Sequence, residues 1–131
     1  MRALLLAAGF GRRLRPLTNT RPKCLIPVDG KPLLEHWLEA LHTAGFDDIM
    51  INTHYLSEQV YDFVQNSSFT DICTILHEPQ LRGTAGTLMA NIDIFRGDDL
   101  FMAHADNYIT ATIPGFLAAF DRRQDSAIMS M

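Results

Sequence analysis

Residues 3–8 read ALLLAA, six apolar positions with no polar break. A surface helix shows apolar residues every three or four positions, and a half-exposed strand shows them every second one. A short continuous run ending at glycine suits a strand covered on both faces, as in a parallel sheet. The run predicts such a strand over 2–8. Parallel strands need long crossover connections, normally helices, and the rest of the chain supplies that alternation. Over 32–44, Leu34, Trp37, Leu38 and Leu41 repeat at helical spacing, with Pro32 suited to the first turn and Gly45 to the stop. The segment DIMINT (48–53) reads as the second strand. Ser57 is placed to cap a helix to Gln65, with Leu56 and Tyr61 as a hydrophobic staple. A third strand covers 72–77. Thr84 is placed to cap a helix to Phe95, with Leu88, Ile92 and Phe95 on one face. A fourth strand covers 100–104. Thr112 is placed to cap a helix to Gln124 that buries Phe116, Leu117 and Phe120. A fifth strand is predicted over 126–131.

This order predicts a three-layer α/β fold around a mainly parallel sheet. At 131 residues and 47% hydrophobic content the chain suffices for one domain at most. Ligands in such sheets lie beyond the carboxyl ends of the strands. That places the loops after Ala8, after His77 and after His104 at the ligand edge. A strand at 126–131 leaves an unpaired edge. The expectation is a longer domain, or a second copy of the chain pairing there as a homo-oligomer.

The first of those loops carries an unusual charge. The chain has 11 basic and 15 acidic residues, net −4. Arg12, Arg13, Arg15, Arg21, Lys23 and Lys31 fall within 9–31, opposed by Asp29 alone, so this segment is +5 and the remainder −9. A local positive excess in an acidic chain favours a compact anionic ligand over a long polyanion. Nucleic acid, which calls for a wider basic face, is not expected as a partner. Charge by itself is equally compatible with a solvated loop.

The glycines narrow the choice. Gly9 and Gly11 begin like a dinucleotide fingerprint, but its third glycine position is Leu14, and no Gly-Lys-Ser/Thr end marks a P-loop. Pro16 and Pro22 prevent a long helix from following directly. Small residues at 7, 8, 9 and 11 let backbone N–H groups approach a phosphate chain or a base, and Arg13 and Lys23 can neutralise it. Taken alone the glycines read as a tight turn. Cys24 and Cys73 show neither metal nor disulfide spacing, which predicts a reduced, cytoplasmic setting. The apolar core of MRALLLAAG is too short for a signal peptide, and no run reaches the roughly 20 apolar residues of a membrane span. The five histidines lack ligand spacing, His104 reading as a residue packed in or beside its strand. Met50, Met89 and Met102 read as packing.

GFGRRLRPLTNTRPKCLIPVDGKPLLEH (9–36) resembles the signature of the sugar-phosphate nucleotidylyltransferases, G-x-G-x-R-L-x-P-L-T-x-x-x-P-K-x-L-x-P-V-x-x-K-P, at nearly every fixed position. EPQLRGTAGTL (78–88) is similar to that family's nucleobase loop, and HADN (104–107) to its metal-binding strand end. The resemblance covers the whole chain but only the amino-terminal half or so of the family. The later EKP lysine segment and second metal aspartate have no counterpart.

The resemblance implies a Rossmann-like, doubly wound sheet with helices on both faces, truncated, with 1–131 as the nucleotide-binding part of one incomplete nucleotidylyltransferase domain. It implies transfer of a nucleoside monophosphate from an NTP to a sugar-1-phosphate, releasing pyrophosphate. Arg13 and Lys23 match positions that grip the triphosphate and the reacting phosphate. Arg12 and Arg15 match no fixed position. Leu6, Ala7, Ala8, Gly9 and Gly11 form one nucleotide-facing stretch, and Glu78, Gly83 and Thr84 a second. Asp106 matches a Mg²⁺ ligand, although an Asp after a strand is often only a turn residue. Mg²⁺ takes one or two carboxylates with phosphate oxygens and water, so one aspartate is half a site. A carboxylate at 78 can only accept, which suits the paired donors N1–H and N2–H₂ of guanine. The expected nucleotide is therefore GTP, and GTAGTL (83–88), which is similar to the block of guanylyltransferases using mannose-1-phosphate or a related sugar, implies a mannose-1-phosphate-like acceptor. UTP- or dTTP-using members and a non-catalytic nucleotide-binding subunit are the alternatives. The chain by itself is expected to turn over little.

Overall fold

The computed structural model describes residues 1–122. A four-stranded parallel sheet runs β5-β4-β1-β6, with β1 at Arg2–Leu6, β4 at Ile49–Thr53, β5 at Cys73–His77 and β6 at Leu100–His104. A two-stranded hairpin, β2 (Pro27–Val28) and β3 (Lys31–Pro32), stands beside it. Its turn is Asp29-Gly30, both at positive φ (50° and 80°). Asp-Gly is the pair such two-residue turns favour.

The central position of β1 explains its composition. Ala3, Leu4 and Leu5 are fully buried, and the two sides of the strand face different layers. Ala3 and Leu5 face the main core, built with Ile49, Ile51 and Phe101 against α1 (Leu33–Thr43), α2 (Ser57–Gln65) and α5 (Ile113–Asp121). Leu4 and Leu6 face a smaller cluster with Met50 and Phe95, under α3 (Gly83–Ala90) and α4 (Ile92–Phe95). Helices thus cover both faces of a mainly parallel sheet. The strand order reverses direction between β1 and β6, which sets a crevice at their carboxyl ends.

α1 places Leu34, Trp37, Leu38 and Leu41 in the core. It ends in a Schellman motif: Gly45 at φ +90° donates to His42 O (3.0 Å) and Phe46 to Leu41 O (3.1 Å), with Phe46 buried.

Several local details differ from the sequence reading. β1 ends at Leu6, although the Ala7 amide still donates to Asn52 O as the ladder with β4 would have it. Pro32 closes β3 and precedes α1 instead of starting its first turn. Leu56, at φ 50°, takes the N-cap position of α2, so Ser57 lies inside the helix. Tyr61 is exposed and makes no staple. α3 begins at Gly83, whose φ of +71° turns the chain, and Thr84 falls in its first turn. The helix drawn to Phe95 breaks at Asn91, whose side chain donates to Thr87 O (2.8 Å) and whose amide donates to Leu88 O (3.2 Å). Ile92 is therefore exposed, although Phe95 is buried. Thr112 occupies the N-cap of α5 without a side-chain capping bond. Phe116 and Leu117 are partly buried against the core. Met50 is core, but Met89 and Met102 are exposed, as is His104. Gln124 and the strand expected at 126–131 lie outside the described residues. No helix among the described residues is long and apolar enough to cross a membrane.

Candidate active site

The carboxyl edge of the sheet carries three loops, after β1, β6 and β5. The first, 7–11, follows β1. Gly9 is exposed, and a Cβ there would meet nothing within 4 Å. Gly11 serves a different need: at φ +61°, its Cβ would lie 2.7 Å from Thr18 Cγ2. The amides of Ala8, Gly9, Phe10 and Gly11 make no hydrogen bond among the described residues. Successive free amides in a loop are available to an anion. Leu6 and Ala7 hold a different position. The Leu6 carbonyl accepts from Ala105 (3.0 Å), and the Ala7 amide donates to Asn52 O (3.2 Å) and Oδ1 (2.7 Å). These two residues tie the loop to the sheet.

The chain then doubles back through short turns at Arg12–Leu14, Leu17–Asn19 and Lys23–Leu25. Buried Thr18 donates to Gly11 O (2.9 Å). The Tyr55 hydroxyl is within reach of Thr18 O (2.9 Å) and Asn19 O (3.1 Å), and Gln59 donates to Thr20 O (2.9 Å). The β4–α2 turn thus holds the basic loop against the sheet. Arg12, Arg13, Arg15 and Arg21 are exposed and form no ion pair among the described residues. The Arg12 guanidinium lies 5.1 Å over the Phe10 ring.

Lys23 reaches across 83 positions of sequence to Asp106. Its Nζ donates to Oδ2 at 2.6 Å, both side chains being mostly buried. Asp106 sits in the turn after β6. That turn is fixed by Ala105 on Leu6, by Asn107 N on His104 O (3.2 Å), and by Trp37 Nε1, which donates to Asn107 O (2.8 Å). No group of three or more His, Cys, Asp or Glu side chains among the described residues is arranged to hold a metal. Cys24, the next residue after Lys23, is buried, and burial pushes its thiol up to about 12, with the Asp106 charge adding to the effect. Neither cysteine is bridged.

The third loop, 78–83, follows β5. Gly83 and Thr84 are exposed at the start of α3. Glu78 is not: it is 4% exposed. Its Oε1 accepts from Asn52 Nδ2 (3.1 Å) and from the Thr87 hydroxyl, and its Oε2 accepts from the Arg82 amide (3.2 Å). Burial alone would push this carboxyl up; the bonds from Thr87, Asn52 and Arg82 N–H, with the Arg82 charge, outweigh it and hold it below its ordinary value. His54 joins the same cluster, its Nδ1 lying 2.8 Å from Glu78 O and its ring edge-on to Phe10.

The model of the nucleotidyl transferase family matches residues 2–131. The chain belongs to the nucleotidyl transferase family. Among curated relatives, this nucleotidyl transferase chain is 37% identical over 123 residues to the N-acetylmuramate alpha-1-phosphate uridylyltransferase of Neisseria meningitidis, covering 92% of the chain and 52% of that protein. It is 39% identical over 127 residues to the mannose-1-phosphate guanyltransferase of Neurospora crassa, covering 93% of the chain and 34% of that protein. A crystal structure of a Bacillus anthracis protein assigned as a glucose-1-phosphate thymidylyltransferase superposes with a TM-score of 0.84 at 26% identity, over 95% of the chain and 51% of that structure. The nucleotidyl transferase chain thus spans about half, or less, of the length of these relatives.

Sequence reasoning brought Lys23, Asp106 and the two glycine loops to the ligand edge. It did not find Asn52, Thr87, Thr18, Tyr55 or Trp37. Asn52 carried a signal: an amide inside an otherwise apolar strand needs buried partners.

Proposed function

We propose that the chain forms the nucleotide-binding part of an enzyme that transfers a nucleoside monophosphate from an NTP to a sugar-1-phosphate. A phosphate oxygen of the sugar-1-phosphate attacks the α-phosphorus, a new P–O bond forms, and the bond to the β-phosphate oxygen breaks to release pyrophosphate. The observation that carries this is the Lys23–Asp106 pair at 2.6 Å, set at the reversal point of the sheet next to the free amides of 8–11. The amides and Arg13 supply donors for the phosphate chain. Lys23 supplies charge where negative charge accumulates on the reacting phosphate. Such positioning and neutralisation carry most of a phosphoryl-type transfer. The Asp106 carboxylate fits a Mg²⁺ ion that takes its remaining ligands from phosphate oxygens and water. That ion, when bound, would neutralise the departing pyrophosphate. Lys23 then exchanges its carboxylate partner for phosphate.

GTP and a mannose-1-phosphate-like acceptor are the finer form of the proposal. They are supported by the likeness of nearly the whole chain to the Neurospora protein. The test is calorimetric titration with Mg²⁺ and GTP or UTP, followed by a pyrophosphate-release assay with mannose-1-phosphate. Absence of binding for both nucleotides overturns the proposal. Tighter binding of UTP than of GTP overturns the guanine part alone.

A further inference from the structure

We propose that Asn52 is a positioning residue for the nucleotide: its side-chain amide is a two-ended brace that sets the spacing between loop 7–11 and loop 78–83. The inference builds on the nucleotide-binding reading above and assigns a role to a residue outside both loops. The sheet register places Asn52 between Leu6 of β1 and Leu76 of β5, at the carboxyl ends from which the two loops leave. Asn52 is 3% exposed. Its Oδ1 accepts from the Ala7 amide at 2.7 Å, the residue just before the free amides of the first loop. Its Nδ2 donates to Glu78 Oε1 and to Thr87 Oγ1, each at 3.1 Å. Glu78 starts the second loop and accepts from the Arg82 amide within it, and Thr87 anchors the helix that follows.

The chemistry of each end is fixed. One end faces an N–H and must accept; the other faces a carboxylate and must donate. A primary amide of this length does both at once, through two separate atoms. Three donors converge on the Glu78 carboxylate: Asn52 Nδ2, the Thr87 hydroxyl and the Arg82 amide. An acceptor-only side chain satisfies all three, whereas a glutamine there would set one NH₂ against a donor. The acidic residue at 78 thus has a role in the scaffold. Because Asn52, Glu78 and Thr87 are all buried and paired, the network is stiff, and two loops that must grip one ligand are held at one separation before it arrives.

The decisive test is exchange of polarity. Asn52→Asp keeps the acceptor toward Ala7 but sets a second carboxylate against Glu78. Adding Glu78→Gln turns the contact around, because the new NH₂ donates to the new carboxylate while the glutamine oxygen still accepts from Arg82. Binding of GTP and UTP, each with Mg²⁺, is measured by calorimetry well below the melting temperature. Amide hydrogen exchange is followed in the same samples, and Asn52→Ala is included as an uncharged variant. The expected result is a tenfold or greater rise in Kd for Asn52→Asp and Asn52→Ala. Exchange should be faster in both loops of Asn52→Ala, with the strands still protected, and the double variant should recover most of the affinity. If Asn52→Asp does not fold, the double variant must fold and bind within about threefold of the unmodified chain. Affinity within twofold of the unmodified chain for Asn52→Ala, or a double variant no better than Asn52→Asp, overturns the brace. An unmodified chain that binds neither nucleotide instead counts against the nucleotide-binding reading, and the brace for that ligand falls with it.

Discussion

Gly9 and Gly11 stand two positions apart in one loop, yet the structure gives them different work, and alanine separates the two. At Gly11 the backbone is left-handed, φ +61°. An L residue held there costs about 1–2 kcal/mol. Its Cβ would also stand 2.7 Å from Thr18 Cγ2, 3.2 Å from Thr18 Cβ and 3.3 Å from Lys23 Cβ. Thr18 cannot yield easily: it is fully buried, β-branched, and bonded through Oγ1 to Gly11 O. Forcing a methyl group into such a contact adds about 1–3 kcal/mol. Gly11→Ala should therefore lose about 2–5 kcal/mol, seen as a fall of about 1 M or more in the urea midpoint. It should also displace Lys23 and weaken NTP binding. At Gly9 the backbone is not left-handed, and a Cβ meets nothing within 4 Å. Gly9→Ala should leave stability unchanged or raise it by up to about 1 kcal/mol, while its methyl fills the space offered to the phosphate chain and raises the NTP Kd at least about tenfold, or 1.4 kcal/mol. Urea denaturation and calorimetry on both variants read these effects. An unchanged midpoint for Gly11→Ala refutes the steric argument. Unchanged affinity for Gly9→Ala refutes the seating of phosphate over this loop.

Three further outcomes are expected. Arg13→Ala and Lys23→Ala should each weaken NTP binding by about 1.5–3 kcal/mol, the value of a charge-assisted contact, and calorimetry showing no change in either variant counts against the phosphate site. Asp106→Asn should remove the Mg²⁺ dependence of NTP binding while costing the fold at most about 1 kcal/mol, since the pair with Lys23 is partly exposed; an intact Mg²⁺ response in that variant refutes the assignment. Glu78 carries a carboxyl held below its ordinary 4.5, so its contribution to stability is present above that pH and is lost as pH falls through the depressed folded-state value. Urea midpoints measured from pH 6 down to about pH 3 should fall less steeply for Glu78→Gln than for the unmodified chain, and parallel curves would exclude the carboxylate as a source of acid sensitivity.

Much of the fold was legible because it depends on periodicity. The unbroken run 3–8 required cover on both faces, and β1 has it. The helical spacing of Leu34, Trp37, Leu38 and Leu41 became the buried side of α1, and Gly45 closed it at positive φ. The element starts were less legible because caps compete. Ser57 lost to Leu56, Thr84 to a turn at Gly83, and one predicted helix broke where Asn91 bonded back to the preceding turn. Met89 and Met102 were read as core from hydrophobicity alone, but an apolar side chain on the surface is common and carries no warning in the sequence. The Asp-Gly hairpin signal at 29–30 was present and went unused.

The site divides along the same line. Lys23 and Asp106 were visible because both match the family signature, and because each lies in a loop whose place at the carboxyl edge of the sheet can be read. The brace was not visible, because nothing in the spacing of Ala7, Asn52, Glu78 and Thr87 marks them as neighbours. They meet only once β1, β4 and β5 are in register, and a shift of one residue would turn Asn52 to the opposite face. The family resemblance of loop 78–88 and the acceptor-only chemistry of a carboxylate pointed to Glu78 as a reader of the base. Its burial instead makes it a partner of three donors. Asn52 thus occupies the place where fold and proposed site are the same object: the hydrogen bonds at the end of β1 and the start of α3 also join the two loops proposed to face the ligand.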